Sequence, residues 1–424
     1  MSAYLLPSDI LLPDFSTVNG ATWAAIACDQ FTGEPDYWKN LAERVGDAPS
    51  TLHIILPEAF LGEAESRVPA IHETMEAYLR SVLTRHANSV IYLERTLSDG
   101  KVRRGLVGMI DLEQYDYRPG AKSLIRATEA TVTERIPPRL AVRRDALLES
   151  PHVMLLIDDP QKTVIEPFAA RTDQLKPAYG FALTAGSGSV KAWFADAPGF
   201  GRASAALERL IAPERVRTRY GGETAPLLFA VGDGNHSLAV AKAAYEEIKA
   251  AHGESALYHP ARYALVEVVN LHDPALTFEP IYRVLSHVDT DDVLKELEAF
   301  SFAQHGAASP QQTRFVSAER RGTMHFGHPS ADLTVATLQQ FLDAYMADHP
   351  DAELDYIHSA KTVEGLAAHP NTVGLPLCTT AKCFIHQLVC HKRQKQLIPS
   401  TTSPAVPSPL HPSGASLFRT ERRW

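Results

Sequence analysis

The densest gathering of groups able to do chemistry in this chain is Gly232-Asp233-Gly234-Asn235-His236-Ser237. The apolar run Pro226 to Val231 before it reads as a strand, and Leu238 to Ala251 after it reads as a helix ending near Gly253. A loop that opens a helix presents amide groups with no partner inside the helix, an arrangement suited to a phosphate or a carboxylate. Gly232, Gly234, Asn235, His236 and Ser237 are therefore candidate cofactor-binding residues. Asp233 is a candidate to orient the histidine or to hold Mg2+, and His236 to donate a hydrogen bond to the anion. The plainer alternative makes Asp233 and Asn235 turn and cap residues and His236 a surface residue. The pattern is neither a P-loop, which needs Gly-Lys-Ser/Thr, nor the spaced three-glycine dinucleotide motif.

A second polar cluster, Arg126 to Arg135, mixes two arginines, two glutamates and three threonines just before Pro137-Pro138. It offers Glu129 as a base and Arg126 and Arg135 as phosphate-binding cations. Alternatively it is a solvated helix or loop with internal salt bridges. Cys28 beside Asp29 and Gln30 is either a thiol in a pocket or an inert half-buried cysteine. The zinc-type ligands Cys378, Cys383, His386, Cys390 and His391 lack a Cys-x-x-Cys pair. His358 follows a strand candidate and faces either a cleft or solvent.

The elements that must position these groups suggest a mixed α/β protein of the α+β class. Residues 1–150 form an N-terminal α+β region, with a strand at Thr51 to Leu56, a helix carrying Val68 to Leu83, and a hairpin of Ser89 to Leu97 and Lys101 to Leu112 around Asp99-Gly100. An α/β unit spans 151–271: strands at His152 to Ile157, Val190 to Phe194 and Ala261 to Leu271, a helix at Ala203 to Ile211, and the glycine loop. A smaller α+β region covers 272–375, with helices at Asp291 to Ala299 and Ala336 to Ala347 and short strands around Phe315, Met324, Asp355 to Ile357 and Thr372 to Leu375. Past Pro376 the composition breaks: three of the four cysteines lie there, and Glu421 is the single acidic residue. This stretch, 376–424, reads as a disordered tail produced by a disrupted reading frame.

With 424 residues, 45% hydrophobic and 21% charged, the chain can bury sizeable cores. A net charge of −9 disfavours a broad nucleic-acid surface, though a small anion can still be bound locally. Four cysteines do not form a secreted disulfide framework, the N-terminus lacks a signal-peptide layout, and no apolar run is long enough to span a bilayer. The expectation is a cytoplasmic protein without a membrane partner; the sequence is silent on oligomeric state.

Cys28 to Thr32, Glu34 to Trp38, Ile125 to Glu129, His152 to Pro160, Gly232 to Ser237 and Asp355 to His358 together resemble the family known as domain of unknown function 1015, over roughly residues 1–375. That family is in turn distantly similar to the ParB and sulfiredoxin superfamily, which includes kinases of free serine and grips nucleotide phosphates with Gly-x-His-Arg at a helix start. Gly234-Asn235-His236 matches its first three positions. Ser237 replaces the arginine, so the resemblance requires another cation, Arg126 or Arg135. Asn235 stands where sulfiredoxin has its reactive cysteine, which argues against sulfinic-acid reduction.

The resemblance implies a ParB/sulfiredoxin-like core with additional α+β regions and a nucleotide-dependent phosphotransferase acting on a small hydroxylated metabolite such as serine. Mg2+ and ATP or ADP would be its cofactors, with Glu129, Asp233, His236 and Arg126 as catalytic residues. The alternatives are a non-enzymatic nucleotide-binding regulator and, third, a ParB-like DNA-associated protein, for which no convincing helix-turn-helix is present.

Overall fold

The computed structural model describes residues 4–25, 35–118, 120–128, 136–150, 153–220, 225–276, 282–306, 308–330, 334–357, 360–376 and 419–420. The chain divides between Leu276 and Thr277 into two compact units. The first carries strands β1 (Ser8–Pro13), β2 (Leu83–Ser89), β3 (Ile91–Thr96), β4 (Val102–Asp111), β5 (Tyr115–Asp116), β6 (Ile125–Arg126), β7 (Leu148–Glu149), β8 (Met154–Ile157), β9 (Lys176–Ala182), β10 (Ser189–Phe194), β11 (Phe229–Asp233) and β12 (Tyr263–Asn270). Its helices are α1 (Gly20–Trp23), α2 (Pro35–Val45), α3 (Ala64–Ser81), α4 (Ile136–Arg143), α5 (Ala197–Leu210), α6 (Pro213–Tyr220) and α7 (Asn235–His252).

Nine of these strands form one mixed sheet in the order β5-β6-β11-β8-β12-β4-β3-β10-β9. β8 and β12 run parallel, and β11 runs antiparallel to β8. The sheet takes strands from both sides of residue 150, so among the described residues no division falls there. Period-two alternation explains the layering. Tyr92, Leu106, Leu155, Val266 and Val268 bury one face against Ala206 and Leu207 of α5 and Leu238, Ala241 and Tyr245 of α7. Ile91, Leu93, Val107 and Leu265 bury the other against Ile10 and Leu12 of β1.

The hairpin at Asp99-Gly100 forms as β3 and β4, and Gly100 takes a φ of +83°. The strand expected at Thr51 to Leu56 is instead a 3-10 turn over Thr51–Ile54. Local side-chain bonds win there: the Ser50 and Thr51 hydroxyls donate to the carbonyls of Thr22 and Trp23 at 2.8 and 2.9 Å, and Ser50 Oγ caps Leu52 N–H.

The second unit holds β13 (Tyr282–Ser286), α8 (Thr290–Phe302), β14 (Gln311–Val316), β15 (Arg321–Phe326), α9 (Thr334–Asp348), β16 (Glu353–Ile357), α10 (Ala360–Leu366) and β17 (Thr372–Leu375). Its five-stranded sheet has the order β15-β14-β17-β13-β16 and packs on α8 and α9 through Leu285, Leu297, Leu338, Phe341 and Leu342. Of the chain beyond Pro376, only Arg419–Thr420 is described, paired with β7; the tail's cysteines and histidines lie outside the described residues. No described helix is long and apolar enough to cross a membrane.

Candidate functional site

The glycine loop is built by a fault in strand pairing. Along β11, Ala230 faces Leu156 and Val231 faces Leu155, but Asp233 faces Met154, so Gly232 is an extra residue. Such a bulge re-aims the next side chain. It has to be glycine, because a Cβ at Gly232 would lie 2.7 Å from Leu156 Cγ. Gly234 then takes φ +79° and ψ 29°, the left-handed conformation that costs other residues roughly 1–2 kcal/mol. The strand expected from Pro226 thus runs Phe229–Asp233, and the helix expected from Leu238 starts at Asn235, directly after Gly234. The capping glycine offers the first-turn amides no side-chain acceptor, and its own N–H donates to Asp233 Oδ1 at 2.6 Å. His236 and Ser237 follow in the first turn, both half-buried.

The loop is tied to the second polar cluster. Thr128 N–H donates to Asn235 Oδ1 at 3.1 Å, Asn235 Nδ2 donates to Thr128 Oγ1 at 3.1 Å, and that hydroxyl donates to the Val231 carbonyl. Both residues are buried. Asn235, expected to touch a cofactor, therefore has both ends of its amide engaged by Thr128. Arg126 is 3% exposed, and its guanidinium donates to the carbonyls of Ser123, Ala225 and Pro226 at 2.8 to 3.1 Å, with burial drawing its pKa below the usual arginine value. These bonds hold the approach to β11. Glu129, Arg135, Cys28 and His358 lie outside the described residues.

The sheet adds residues that the sequence reading did not single out. Met154 is the register partner of both Asp233 and Glu267, so the two acidic residues stand in one row across the sheet. At about 4.8 Å per strand their backbones stand roughly 10 Å apart. Glu267 leans along β4, where a Cβ at Gly105 would lie 2.4 Å from its Oε1. It meets Arg103 Nη2 at 3.1 Å in a pair whose side chains are 5% and 2% exposed. Arg95, fully buried, lies opposite Arg103 in register. Tyr179 is buried on the same side; burial, then the charge of Glu267, holds its hydroxyl well above the usual tyrosine range. An acid inside the otherwise apolar Tyr263-Ala264-Leu265-Val266-Glu267-Val268-Val269 was the available signal.

At the far end of β8, roughly 13 Å along the strand from Met154, a different group assembles. His272 Nε2 is 2.7 Å from Asp158 Oδ1. Asn270, buried in the sheet, accepts at Oδ1 from the amides of Asp159 and His272 and donates from Nδ2 to the Asp159 carbonyl and to Glu166 Oε1. Burial pushes the Glu166 carboxyl up, and Asp159 and Asp273 add to the rise against the bond from Asn270. The arrangement is a carboxylate-oriented imidazole on a rigid support, able to move a proton.

No curated protein matches the chain. Among solved structures, a conserved hypothetical protein from Pyrococcus furiosus is similar at 11% identity, covering 72% of this chain and 92% of its own, with a TM-score of 0.30. The family model for a protein of unknown function, DUF1015, matches residues 13–345, a span that includes the bulge, the left-handed glycine, the Thr128–Asn235 clamp and the buried Arg103–Glu267 pair. The chain belongs to the DUF1015 family.

Proposed function

We propose that the chain is a nucleotide-dependent phosphotransferase acting on a small hydroxylated metabolite, with the nucleotide phosphates seated on Gly234 to Ser237. The observation that carries this reading is the bulge at Gly232 followed by left-handed Gly234, which sets an acidic side chain beside the start of an 18-residue helix. The positive end of that helix and its first-turn amides favour a phosphate, and His236, in that first turn, is our candidate for a further contact to it. A likeness of Gly234-Asn235-His236 to the phosphate grip of the ParB/sulfiredoxin superfamily supports the same assignment.

Mg2+ fits this site as a shared ion rather than a caged one. Among the described residues Asp233 is in no group of three ligating side chains. Mg2+ commonly uses one carboxylate together with phosphate oxygens and waters. Bound there, it would supply charge neutralisation for phosphoryl transfer. Arg126 serves as a brace for β11 in this reading, since its donors bear on backbone carbonyls. Glu129, directly after the clamped Thr128, remains our candidate to take the acceptor's proton.

Isothermal titration of the chain with ATP or ADP and Mg2+ tests the reading. We expect binding in the wild type and at least a roughly tenfold loss in Asp233→Ala and His236→Ala, since losing one charge-assisted hydrogen bond removes about 1.5–3 kcal/mol. Wild-type protein that is folded and binds neither nucleotide, or variants that bind as well as it does, would overturn the proposal.

A further inference from the structure

In the second unit, two carboxylates and one imidazole converge away from the sheet. Asp292 and Glu296 lie one turn apart on α8, and His349 directly follows α9. Their ligand atoms all lie within 4.8 Å of one another. His349 Nε2 stands 3.4 Å from Asp292 Oδ2 and 3.8 Å from Glu296 Oε1. A tetrahedral ion with ligands at about 2.0–2.1 Å sets its ligand atoms roughly 3.3–3.4 Å apart, a spacing that the His349–Asp292 separation of 3.4 Å already meets and the His349–Glu296 separation of 3.8 Å approaches.

Contacts from outside the group fix what the imidazole presents. His349 Nδ1 is 2.9 Å from the carbonyl oxygen of Tyr345, which can only accept, so Nδ1 carries a hydrogen. The ring is also stacked on Tyr345, with centroids 3.9 Å apart and planes 11° from parallel. In the neutral ring Nε2 then bears the lone pair and faces the two carboxylates. A backbone carbonyl holding the distal ring nitrogen is the usual support of a metal-binding histidine.

The neighbouring acids have other duties. Asp289 caps α8 by accepting from the amides of Asp291 and Asp292, and Asp291 pairs with Arg320 at 3.0 Å. Asp292 and Glu296 have no lysine or arginine at ion-pair distance among the described residues.

We infer that Asp292, Glu296 and His349 bind a divalent transition-metal ion of the zinc type, with water completing its shell, and that the ion staples α8 to the end of α9. The test is titration of chelator-stripped full-length protein with ZnCl2 at neutral pH. It uses the background Cys28→Ser, Cys378→Ser, Cys383→Ser, Cys390→Ser, so that thiols contribute nothing. We expect one high-affinity ion per chain and a rise in thermal midpoint on adding zinc. His349→Ala and, as a milder second variant, Asp292→Asn should each weaken binding at least roughly tenfold while circular dichroism stays unchanged. Absence of zinc binding by the parent, or binding that both variants retain at full strength, would reduce the group to a surface ion pair and overturn the inference.

Discussion

The two ends of β8 bring their polar groups together in opposite ways. At Met154 the working parts are mostly backbone: a bulged Gly232, a left-handed Gly234 and the start of α7, all within a few consecutive residues. Toward Asp158 the parts are side chains contributed by distant segments, Asp158 with His272 and Asn270 with Glu166, and two strands across the sheet from Asp233 the same holds of Arg103 with Glu267. A backbone site tolerates changes in most side chains but not in the conformation beneath them. A side-chain site on a rigid strand depends on each partner having its complement, and burial makes every unmatched group expensive.

The largest expected effect follows from that second property. Glu267→Ala should destabilise the first unit by about 3–5 kcal/mol, because it takes the carboxylate away from a guanidinium that is almost fully buried. Urea denaturation checks this. The sharper version adds the double variant Arg103→Met, Glu267→Leu, which should recover most of the loss, since apolar replacement of a buried pair is often neutral. If the single variant costs under about 1 kcal/mol, the buried pair is not what distinguishes this region.

A smaller effect is expected at the backbone end. Asn235→Ala leaves Thr128 N–H without its side-chain acceptor in a buried setting and should cost about 1–3 kcal/mol. The consequence that sets it apart from a merely structural loss lies in ligand binding: the α7 start and Gly234 persist, so nucleotide affinity should fall less than in His236→Ala. An affinity loss equal to or larger than that of His236→Ala, with stability unchanged, would instead make Asn235 a direct ligand contact.

The same contrast explains what could be read without coordinates. The strand, loop and helix start around Gly232–Ser237 were legible because the parts are adjacent and local: an apolar run, then glycines that free the backbone, then helix-period residues. The hairpin at Asp99-Gly100 and the helix-period runs of the second unit were legible on the same grounds. The Arg103–Glu267 and Asp158–His272 pairs were not, since 164 and 114 residues separate the partners and only the strand order joins them. Thr51 to Ile54 misled for a related reason: its apolar pattern suits a strand, while the hydroxyls of Ser50 and Thr51 bind the carbonyls of Thr22 and Trp23 and turn the chain. For Asn235 and Arg126 the residue types were noticed, but their partners, Thr128 and the Ala225 and Pro226 carbonyls, come from a neighbouring strand and its flank.

The smallest expected effect is a pH dependence at the Asp158 end. Burial raises the Glu166 carboxyl above its ordinary value of 4.5, so the unfolded chain releases this proton at lower pH than the folded one. Over the interval from about 4.5 up to the raised value the unfolded state therefore binds fewer protons, and this group makes stability fall as pH rises. Glu166→Gln keeps an oxygen able to accept from Asn270 Nδ2 while removing the titration. Stability measured by denaturation across mildly acidic pH should thus fall less steeply in the variant, and the two proteins should differ most at the neutral end. Parallel curves would mean that Glu166 titrates alike in both states, and that the far end of β8 bears its crowded carboxylates without an electrostatic penalty at this position.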